Sequence, residues 1–266
     1  MLRIVPRKRL VLSDPALSID SQYSFMTRRW MLILSMWYQS FKINSLLKER
    51  TPQSNKNEHA RIMTSAIVTV FDTETSGLPT RPSKFRRCAD PFSETDRYDT
   101  SRMVELAYVT YLVAESGAPT LIEQRSMLVR PDGTFTITND DIHGIAHALA
   151  TTHGRPLRDV LVDFMTVVDR SDVVVSHNIE FDKNIVCAEL VRINMIQNAR
   201  TFMDASFVCT MKLAMDTFSL TRFPTLKALY QIVCNDQGGP GWTQTHRAMD
   251  DALRAADCYL DMIKRV

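Results

Sequence analysis

The chain has 266 residues, 45% of them hydrophobic, which is enough apolar side chain for one large domain or two small ones with a true core. Its formal charge of +2 and pI near 8.3 are too small to attract anionic partners through the overall charge of the protein. Such a partner would be held by local clusters of basic side chains. The five cysteines are odd in number and form no CxxC pair. This argues against a disulfide framework and a zinc site and favours a reducing intracellular compartment, cytoplasmic or nuclear.

The first 62 residues differ in composition from the rest, and we expect them to form a poorly ordered extension or a short interfacial helix. A basic start precedes an apolar segment at residues 30–41 and a polar linker at residues 48–61. The apolar segment is shorter than the about 20 residues that a membrane-spanning helix needs, so we expect no integral membrane association. The arginines fit an organellar transit peptide, whereas Asp14 and Asp20 do not, and that alternative stays open.

From residue 63 onward the pattern predicts one α/β domain, 63–266. In chain order, strand-like runs occupy residues 66–72, 103–113, 124–129 and 172–176, and helical patterns occupy residues 156–168, 180–195, 225–234 and 248–263. Strands come first and then alternate with helices, which predicts a mixed sheet with helices on its faces. Residues 80–102 are rich in proline, arginine and aspartate and are expected to form a long loop between the first two strands.

Two acids end the first predicted strand, in the stretch "IVTVFDTETSGLP". Asp72 and Glu74 are two residues apart, so their side chains share one face and meet at one spot beyond the strand. Like charges at this distance repel each other unless a cation lies between them. Solvated acids are also common at strand ends, so this pair alone leaves a metal site and a plain strand end both open.

A third acid follows the strand "VVVS" in the stretch "SHNIEFDKNIV". Asp182 falls in the first turn of the next helix, and Ile185 and Val186 lie three and four residues later on the same helix face. Asp182 is therefore predicted to point inward. The helix dipole explains an acid such as Glu180 in the first turn, but it does not explain an acid on the apolar face.

The last helix begins in "THRAMDDALRAADCYL" with two adjacent acids, which helical geometry separates. Asp250 belongs to a charged, solvent-facing stripe with Arg254, Asp257 and Asp261, and we expect its removal to be nearly neutral. Asp251 is predicted to point inward because it lies on the apolar face with Ala255, Cys258 and Met262. His246 precedes Asp251 by five residues at the end of a loop, where it could also simply cap the helix or contact solvent.

Four acids and a histidine in this order resemble the DEDDh (DnaQ-like) family of 3'-to-5' exonucleases, within the RNase H-like superfamily. The resemblance covers residues 63–266 and depends on "FDTETSGLP", "SHNIEFD" and "HRAMDDA", with "RMVELAYV", "IHGI" and "FPTLKALYQ" as further matches. It implies an α/β fold with an RNase H-like mixed sheet flanked by helices. The 80–102 segment departs from the family because it is longer than in compact bacterial members.

The resemblance also implies the chemistry of the site. Asp72, Glu74, Asp182 and Asp251 would be the metal ligands and, with His246, the catalytic residues. Asp72, Glu74 and Asp251 would bind one divalent ion, Asp72 would bridge to a second, and Asp182 would act directly or through water. Ligands that are all oxygens favour two Mg²⁺ ions, with Mn²⁺ as a substitute. His246 would take the proton from the attacking water.

Members of the family hold the single-stranded 3' end of their substrate beside the metals. The residues that resemble these contacts are Thr75, Leu78, His143, Asn178 and Phe181. For Leu78 and Phe181, packing in the core is an equally good interpretation. The arginines of the 80–102 loop could contact phosphates, although such a run is usually a solvated surface.

The function that the resemblance implies is exonucleolytic release of nucleoside 5'-monophosphates from single-stranded or frayed DNA 3' ends, in proofreading or repair, with a polymerase or replication complex as a conceivable partner. An RNA-trimming or oligoribonucleotide exonuclease would use the same residues. A non-catalytic nucleic-acid-binding adaptor is the alternative from another class. It predicts the loss of at least one carboxylate, whereas all five expected side chains are present.

Overall fold

The computed structural model describes residues 65–81, 88–114, 117–235 and 242–265. The predictions for residues 1–62, including the apolar segment 30–41, lie outside these ranges, as does the predicted domain start at residue 63. Within the described ranges no helix combines the length and apolar character needed to cross a bilayer.

The strands form a single mixed sheet. They are β1 (Ser65–Thr75), β2 (Met103–Ala114), β3 (Thr120–Leu128), β4 (Val173–Ser176) and β5 (Phe207–Cys209), in the order β3-β2-β1-β4-β5. β2 pairs antiparallel with both β1 and β3, whereas β4 pairs parallel with both β1 and β5. The apolar, fully buried β4 and the long β1 therefore lie at the centre of the sheet, as runs rich in valine favour.

Eight helices accompany the sheet in the described residues. They are α1 (Asp140–His143), α2 (His147–His153), α3 (Leu157–Val168), α4 (Ile179–Arg192), α5 (Ile196–Met203), α6 (Thr210–Thr217), α7 (Leu226–Asn235) and α8 (Ala248–Arg265). The four predicted strands and the four predicted helices are confirmed, although β3 begins four residues before its predicted start. Strand β5 and the short helices α1, α2, α5 and α6 were missed, because three to eight residues carry too little periodicity.

The side chains of β1 alternate between two cores. Phe71 points to the core made with α3, α4 and α5, where it packs against Phe164 of α3 at 5.0 Å between ring centroids. Val68 and Val70 point to the opposite core, made with α7 and α8. Because strand side chains alternate, Asp72 and Glu74 continue the row of Val70 on the α8 side, and Thr73 continues the row of Phe71 on the α4 side.

The predicted loop between β1 and β2 is attached to the core through its described part. It contains a 3₁₀ turn at Thr95–Tyr98, and the hydroxyl of the buried Tyr98 donates a 2.6 Å hydrogen bond to the carbonyl of Ala89. Arg102 is also buried, and it forms an ion pair with Glu189 of α4 at 2.8 Å. The interpretation of Arg102 as a phosphate contact is therefore wrong, since its guanidinium is buried and paired with Glu189.

Candidate active site

Three carboxylates meet at the carboxyl end of β1. Asp72 and Glu74 come from the strand, and Asp251 comes from the first turn of α8. One oxygen of each lies within 4.8 Å of the others. The convergence has a simple cause, because the row of β1 that carries Asp72 and Glu74 faces α8, and Asp251 lies on the buried face of that helix.

The electrostatics of this cluster are unfavourable for a protein without a cation. Burial, and then the neighbouring charges of Asp182, Asp251 and Glu74, raise the pKa of Asp72 well above its usual 3.8. Burial and the nearby acids likewise raise the pKa of Glu74 from 4.5 to about 8. A divalent cation would relieve both effects, because it replaces lost hydration and compensates the like charges.

Asp251 is bound on one side only. Its Oδ2 accepts a 2.6 Å hydrogen bond from the side-chain amide of Gln244, while its buried Oδ1 has no partner among the described residues. Burial raises the pKa of Asp251 to about 6, against the opposing effects of Gln244 and of the charge of His246. A buried carboxylate oxygen without a partner is costly, and a divalent ion bound to it would remove that cost.

Asp182 lies beside this cluster but is held by the protein itself. Its Oδ1 accepts hydrogen bonds from the backbone N–H of Thr73 at 3.1 Å and from the hydroxyl of Thr73 at 2.8 Å. Its Oδ2 accepts a 2.7 Å hydrogen bond from the hydroxyl of Ser176. Burial nevertheless raises the pKa of Asp182 to about 6. Oδ1 already accepts two hydrogen bonds, whereas Oδ2 accepts one and keeps a second lone pair, so Oδ2 could bind a metal directly or through water.

A fifth acid, Glu105 of β2, was not predicted to belong to the site. It pairs with Glu74 across the two strands and is fully buried. Burial alone would raise its pKa, but hydrogen bonds from Arg247 and Ser126 lower it, so Glu105 is ionised. All of its described contacts are to protein donors, and it therefore serves as the counter-ion of Arg247. The signal that could have found it is an acid within the apolar run "RMVELAYV".

His246 lies in the segment 242–247, which leads directly into α8. The side chain is exposed, and the backbone has a left-handed φ of 49°, which is uncommon for a residue other than glycine. Asp250 accepts hydrogen bonds in this segment from the indole N–H of Trp242 at 3.0 Å and the hydroxyl of Thr245 at 2.9 Å. The expectation that Asp250 only contributes to a solvent-facing stripe is therefore wrong, although its ion pair with Arg254 along that stripe is present.

The candidate substrate residues differ widely in exposure. Leu78 is 75% exposed, which excludes core packing, whereas Phe181 is partly buried against the aromatic core. Asn178 is exposed and left-handed at φ 62°, immediately before α4. Thr75 is buried, and its hydroxyl donates to the carbonyl of Gly77 at 2.7 Å. Leu78 and Asn178 are therefore accessible to a ligand, whereas the Thr75 hydroxyl is already engaged.

His143 is buried, with 1% of its surface exposed, and belongs to α1. Its Nδ1 accepts a hydrogen bond from the backbone N–H of Ile145, so the proton of the neutral ring lies on Nε2. Nε2 is buried and has no partner among the described residues. Burial lowers the pKa of His143. The Nε2–H of His143 is therefore an unused neutral donor, from which a ligand oxygen could accept a hydrogen bond.

His177 was passed over in the motif "SHNIEFD". Its Nε2 lies 3.2 Å from the carbonyl of Pro224 and its Nδ1 lies 2.9 Å from the hydroxyl of Thr210. Because a carbonyl can only accept, the proton lies on Nε2, and the hydroxyl donates to Nδ1. Burial lowers the pKa of His177 to about 4. This neutral ring ties the turn that carries Asn178 to the segment before α7.

The chain is similar to known proteins in sequence family and in fold. A profile of the RNase T family, described as Exonuclease, matches residues 69–259, which is more than half of the chain. No curated protein gives a significant match. Exonuclease X in complex with 5' overhanging duplex DNA is 23% identical over 74% of this chain and 91% of its own, with a TM-score of 0.48. E. coli Exonuclease I in complex with a dA16 oligonucleotide is 14% identical over 75% of this chain, with a TM-score of 0.54.

A further similar structure is cell-death related nuclease 4 (CRN-4), which is 17% identical over 75% of this chain and 64% of its own, with a TM-score of 0.51. The match spans 41% of the Exonuclease I chain. At these identities the similarity concerns the fold. It confirms the predicted mixed sheet flanked by helices as the RNase H-like fold that exonucleases use.

Proposed function

Because the chain belongs to the RNase T exonuclease family, and is therefore a DnaQ-like nuclease of the RNase H-like superfamily, we propose that it is a metal-dependent 3'-to-5' exonuclease. Its products would be nucleoside 5'-monophosphates released from single-stranded or frayed DNA ends. The observation that carries the proposal is the convergence of Asp72, Glu74 and Asp251 within 4.8 Å, with a buried oxygen of Asp251 unpartnered in the described structure.

The donor set is suited to Mg²⁺ or Mn²⁺, since every candidate ligand is a carboxylate oxygen. Two such ions, when bound, would lower the pKa of the attacking water and compensate charge on the phosphate. Asp72, Glu74 and Asp251 would hold them, with Asp182 binding directly or through water. His246 is the proposed base that takes the proton of the attacking water, for which an exposed imidazole beside Asp251 is suited.

The proposed contacts to the terminal nucleotides come mainly from three side chains, which differ in exposure. The exposed side chain of Leu78 offers an apolar wedge, and the partly buried ring of Phe181 offers a surface for stacking. The unused Nε2–H of His143 offers a donor to a phosphate or sugar oxygen. Asn178 is proposed to make a further polar contact to the substrate. Thr75 is proposed to shape the backbone beside it.

DNA is the proposed substrate, and the structure of Exonuclease I with a dA16 oligonucleotide supports that choice by analogy. An RNA-trimming exonuclease remains the second candidate, because recognition of a 2'-hydroxyl depends on fine geometry near Glu74 and Thr75. A role in proofreading or repair beside a polymerase is part of the proposal. So is the assignment of residues 63–266 as the exonuclease domain.

The test is degradation of 3'-labelled and 5'-labelled single-stranded, duplex and mismatched DNA, with matching RNA, in Mg²⁺ and in Mn²⁺. We expect stepwise shortening from the 3' end with 5'-monophosphates as products, and no reaction when the 3' hydroxyl is blocked. Asp72→Asn is the inactive control. Efficient cutting of circular single-stranded DNA would contradict the exonuclease assignment, and faster cutting of RNA than of DNA would select the second candidate.

A further inference from the structure

The segment 242–247 carries His246 and is bound on its upstream side by a carboxylate outside the candidate metal cluster. Asp250 Oδ2 accepts hydrogen bonds from both Trp242 Nε1 at 3.0 Å and Thr245 Oγ1 at 2.9 Å. Asp250 lies in the first turn of α8, immediately before Asp251. One oxygen therefore holds two residues of the segment against the helix that supplies a candidate metal ligand.

A second carboxylate holds the downstream side. Glu105 accepts hydrogen bonds from Arg247 through Nε at 3.0 Å and Nη2 at 2.8 Å, and from the backbone N–H of Ala248 at 3.1 Å. Such a bidentate contact fixes the orientation of the guanidinium as well as its distance from the carboxylate. Because Glu105 belongs to β2 and is fully buried, this anchor is part of the rigid sheet.

His246 lies between these two anchors, with Thr245 and Arg247 as its chain neighbours. Its left-handed backbone, φ 49°, is a conformation that residues other than glycine adopt uncommonly. Such a conformation persists when the surrounding contacts determine it. The contacts on either side supply that determination, while the imidazole itself remains exposed to a substrate.

The upstream anchor is further supported by a ring of side chains. Trp242 packs edge-on against Tyr230 of α7 at 5.5 Å between ring centroids. Tyr230 lies under the guanidinium of Arg254 at 5.1 Å, and Arg254 returns to Asp250 as an ion pair at 3.7 Å. Asp250 is thus fixed by α7 and α8 together before it binds the segment.

We propose that Asp250 and Glu105 are positioning residues that hold His246 in reach of the reacting water. The inference rests on the proposed role of His246 as the base. A base works only within hydrogen-bond reach of the proton that it removes, and small displacements lower rates by about 10²-fold. Neither carboxylate touches the substrate or a metal ion in this scheme, and both act through the histidine.

The alternative role for Asp250 is to stabilise α8, since an acid in the first turn interacts favourably with the helix dipole. The two roles differ in what happens when His246 is absent. A positioning residue loses its effect on the rate once the histidine is removed, whereas a purely structural residue continues to act. The comparison of single and double variants therefore separates them.

The rate experiment measures single-turnover cleavage of single-stranded DNA by the full chain. We expect Asp250→Ala and Trp242→Phe, which removes the indole donor, to lower the rate by about 10- to 100-fold, with little change in substrate affinity. In the His246→Ala background, Asp250→Ala should cause no further loss. Asp257→Ala is the matched control, because Asp257 also pairs with Arg254 on α8 but has no described contact to residues 242–247. A multiplicative effect in the double variant would overturn the proposal.

The downstream anchor is tested at its surface end, since replacing the buried Glu105 could prevent folding. Arg247→Lys keeps the positive charge but loses the bidentate contact with Glu105. We expect Arg247→Lys to lower the cleavage rate in the wild-type background. In the His246→Ala background it should cause no further loss. An Arg247→Lys protein with the full wild-type rate would remove Glu105 from the proposal.

Two readouts do not depend on catalysis. The indole N–H signal of Trp242, assigned in ¹⁵N-tryptophan-labelled protein by its loss in Trp242→Phe, should exchange with solvent faster in Asp250→Ala than in the wild type. Mn²⁺ affinity measured by calorimetry should be unchanged in Asp250→Ala. Unchanged exchange, or a loss of Mn²⁺ affinity that matches the loss of rate, would overturn the inference. A wild-type protein without nuclease activity would instead contradict the proposed function, while the exchange measurement still tests the contact itself.

Discussion

The Asp182 carboxylate binds Thr73 directly, because its Oδ1 accepts hydrogen bonds from both the backbone N–H and the hydroxyl of that residue, at 3.1 and 2.8 Å. Thr73 lies between Asp72 and Glu74 on β1, and its side chain points to the opposite face of the strand. The contact therefore fixes the first turn of α4 relative to the strand that carries two other candidate ligands.

This relationship predicts the effect of Thr73→Val, which removes the hydroxyl at nearly constant volume. The free energy of unfolding should fall by about 1–3 kcal/mol, because a buried carboxylate loses a hydrogen bond. The nuclease rate should fall as well, since Asp182 then keeps only the hydrogen bonds from the backbone N–H of residue 73 and from Ser176 and is held less firmly. Urea unfolding and single-turnover cleavage measure the two effects, and Thr73→Ser, which keeps the hydroxyl, is the control. A Thr73→Val protein equal to the wild type in both would show that the backbone N–H is sufficient.

Asp72→Asn and Asp251→Asn should each abolish hydrolysis while leaving the fold intact. The substitution removes a ligand oxygen charge, but it also relieves repulsion within the carboxylate cluster of the metal-free protein. Thermal unfolding in a chelator should therefore give a melting temperature equal to or above that of the wild type. Either variant with full Mg²⁺-dependent activity would contradict the assignment of the site.

The pH dependence of stability follows from the same cluster. In the folded state the pKa of Asp72 is raised, that of Glu74 is raised to about 8, and that of Asp251 is raised to about 6. The folded protein therefore binds protons at these groups more tightly than the unfolded chain does. These carboxyl groups should therefore stabilise the metal-free protein more near pH 4 than near pH 8. Denaturant unfolding in a chelator across this range measures the slope.

Asp72→Asn should flatten that slope, and a saturating divalent ion should raise stability most at the high-pH end, where the carboxylates are ionised. Equal slopes for the wild type and Asp72→Asn would show that the cluster does not control this pH dependence.

His246→Ala should lower turnover by about 10²- to 10⁴-fold, the usual contribution of a positioned base, while substrate binding stays nearly intact. The kcat and KM of cleavage give the two quantities. Asp257→Ala on the adjoining helix α8 is the control, since Asp250 is engaged with the segment 242–247 and cannot serve. A His246→Ala protein whose loss lies entirely in KM would indicate a binding role.

A protein of residues 63–266 should fold and cleave single-stranded DNA at a rate within a few-fold of the full chain, since every candidate site residue lies within it. Circular dichroism and the cleavage assay test this. An insoluble or inactive product would show that the preceding residues, including the apolar segment 30–41, pack onto this domain.

The sequence by itself determined four of the strands, the four longer helices and the direction of the four acids. The alternation of β1 places Asp72 and Glu74 on one face, and helical periodicity places Asp182 and Asp251 on buried faces. These are local geometric properties, set by repeats of two and 3.6 residues, and so they can be read without the rest of the fold. The order of the motifs along the chain then indicated the family.

Only the tertiary structure decided which side chains hold the others. Glu105 became the partner of Arg247, 142 residues away, and Thr73 became the partner of Asp182, 109 residues away. Asp250 was assigned to the solvent by helical phase alone, because periodicity reports the face of its own helix and contains nothing about the segment that folds back over it. Strand β5 was missed for a related reason, since its three residues become a strand only by pairing with β4. Contacts of this kind depend on the path of the whole chain.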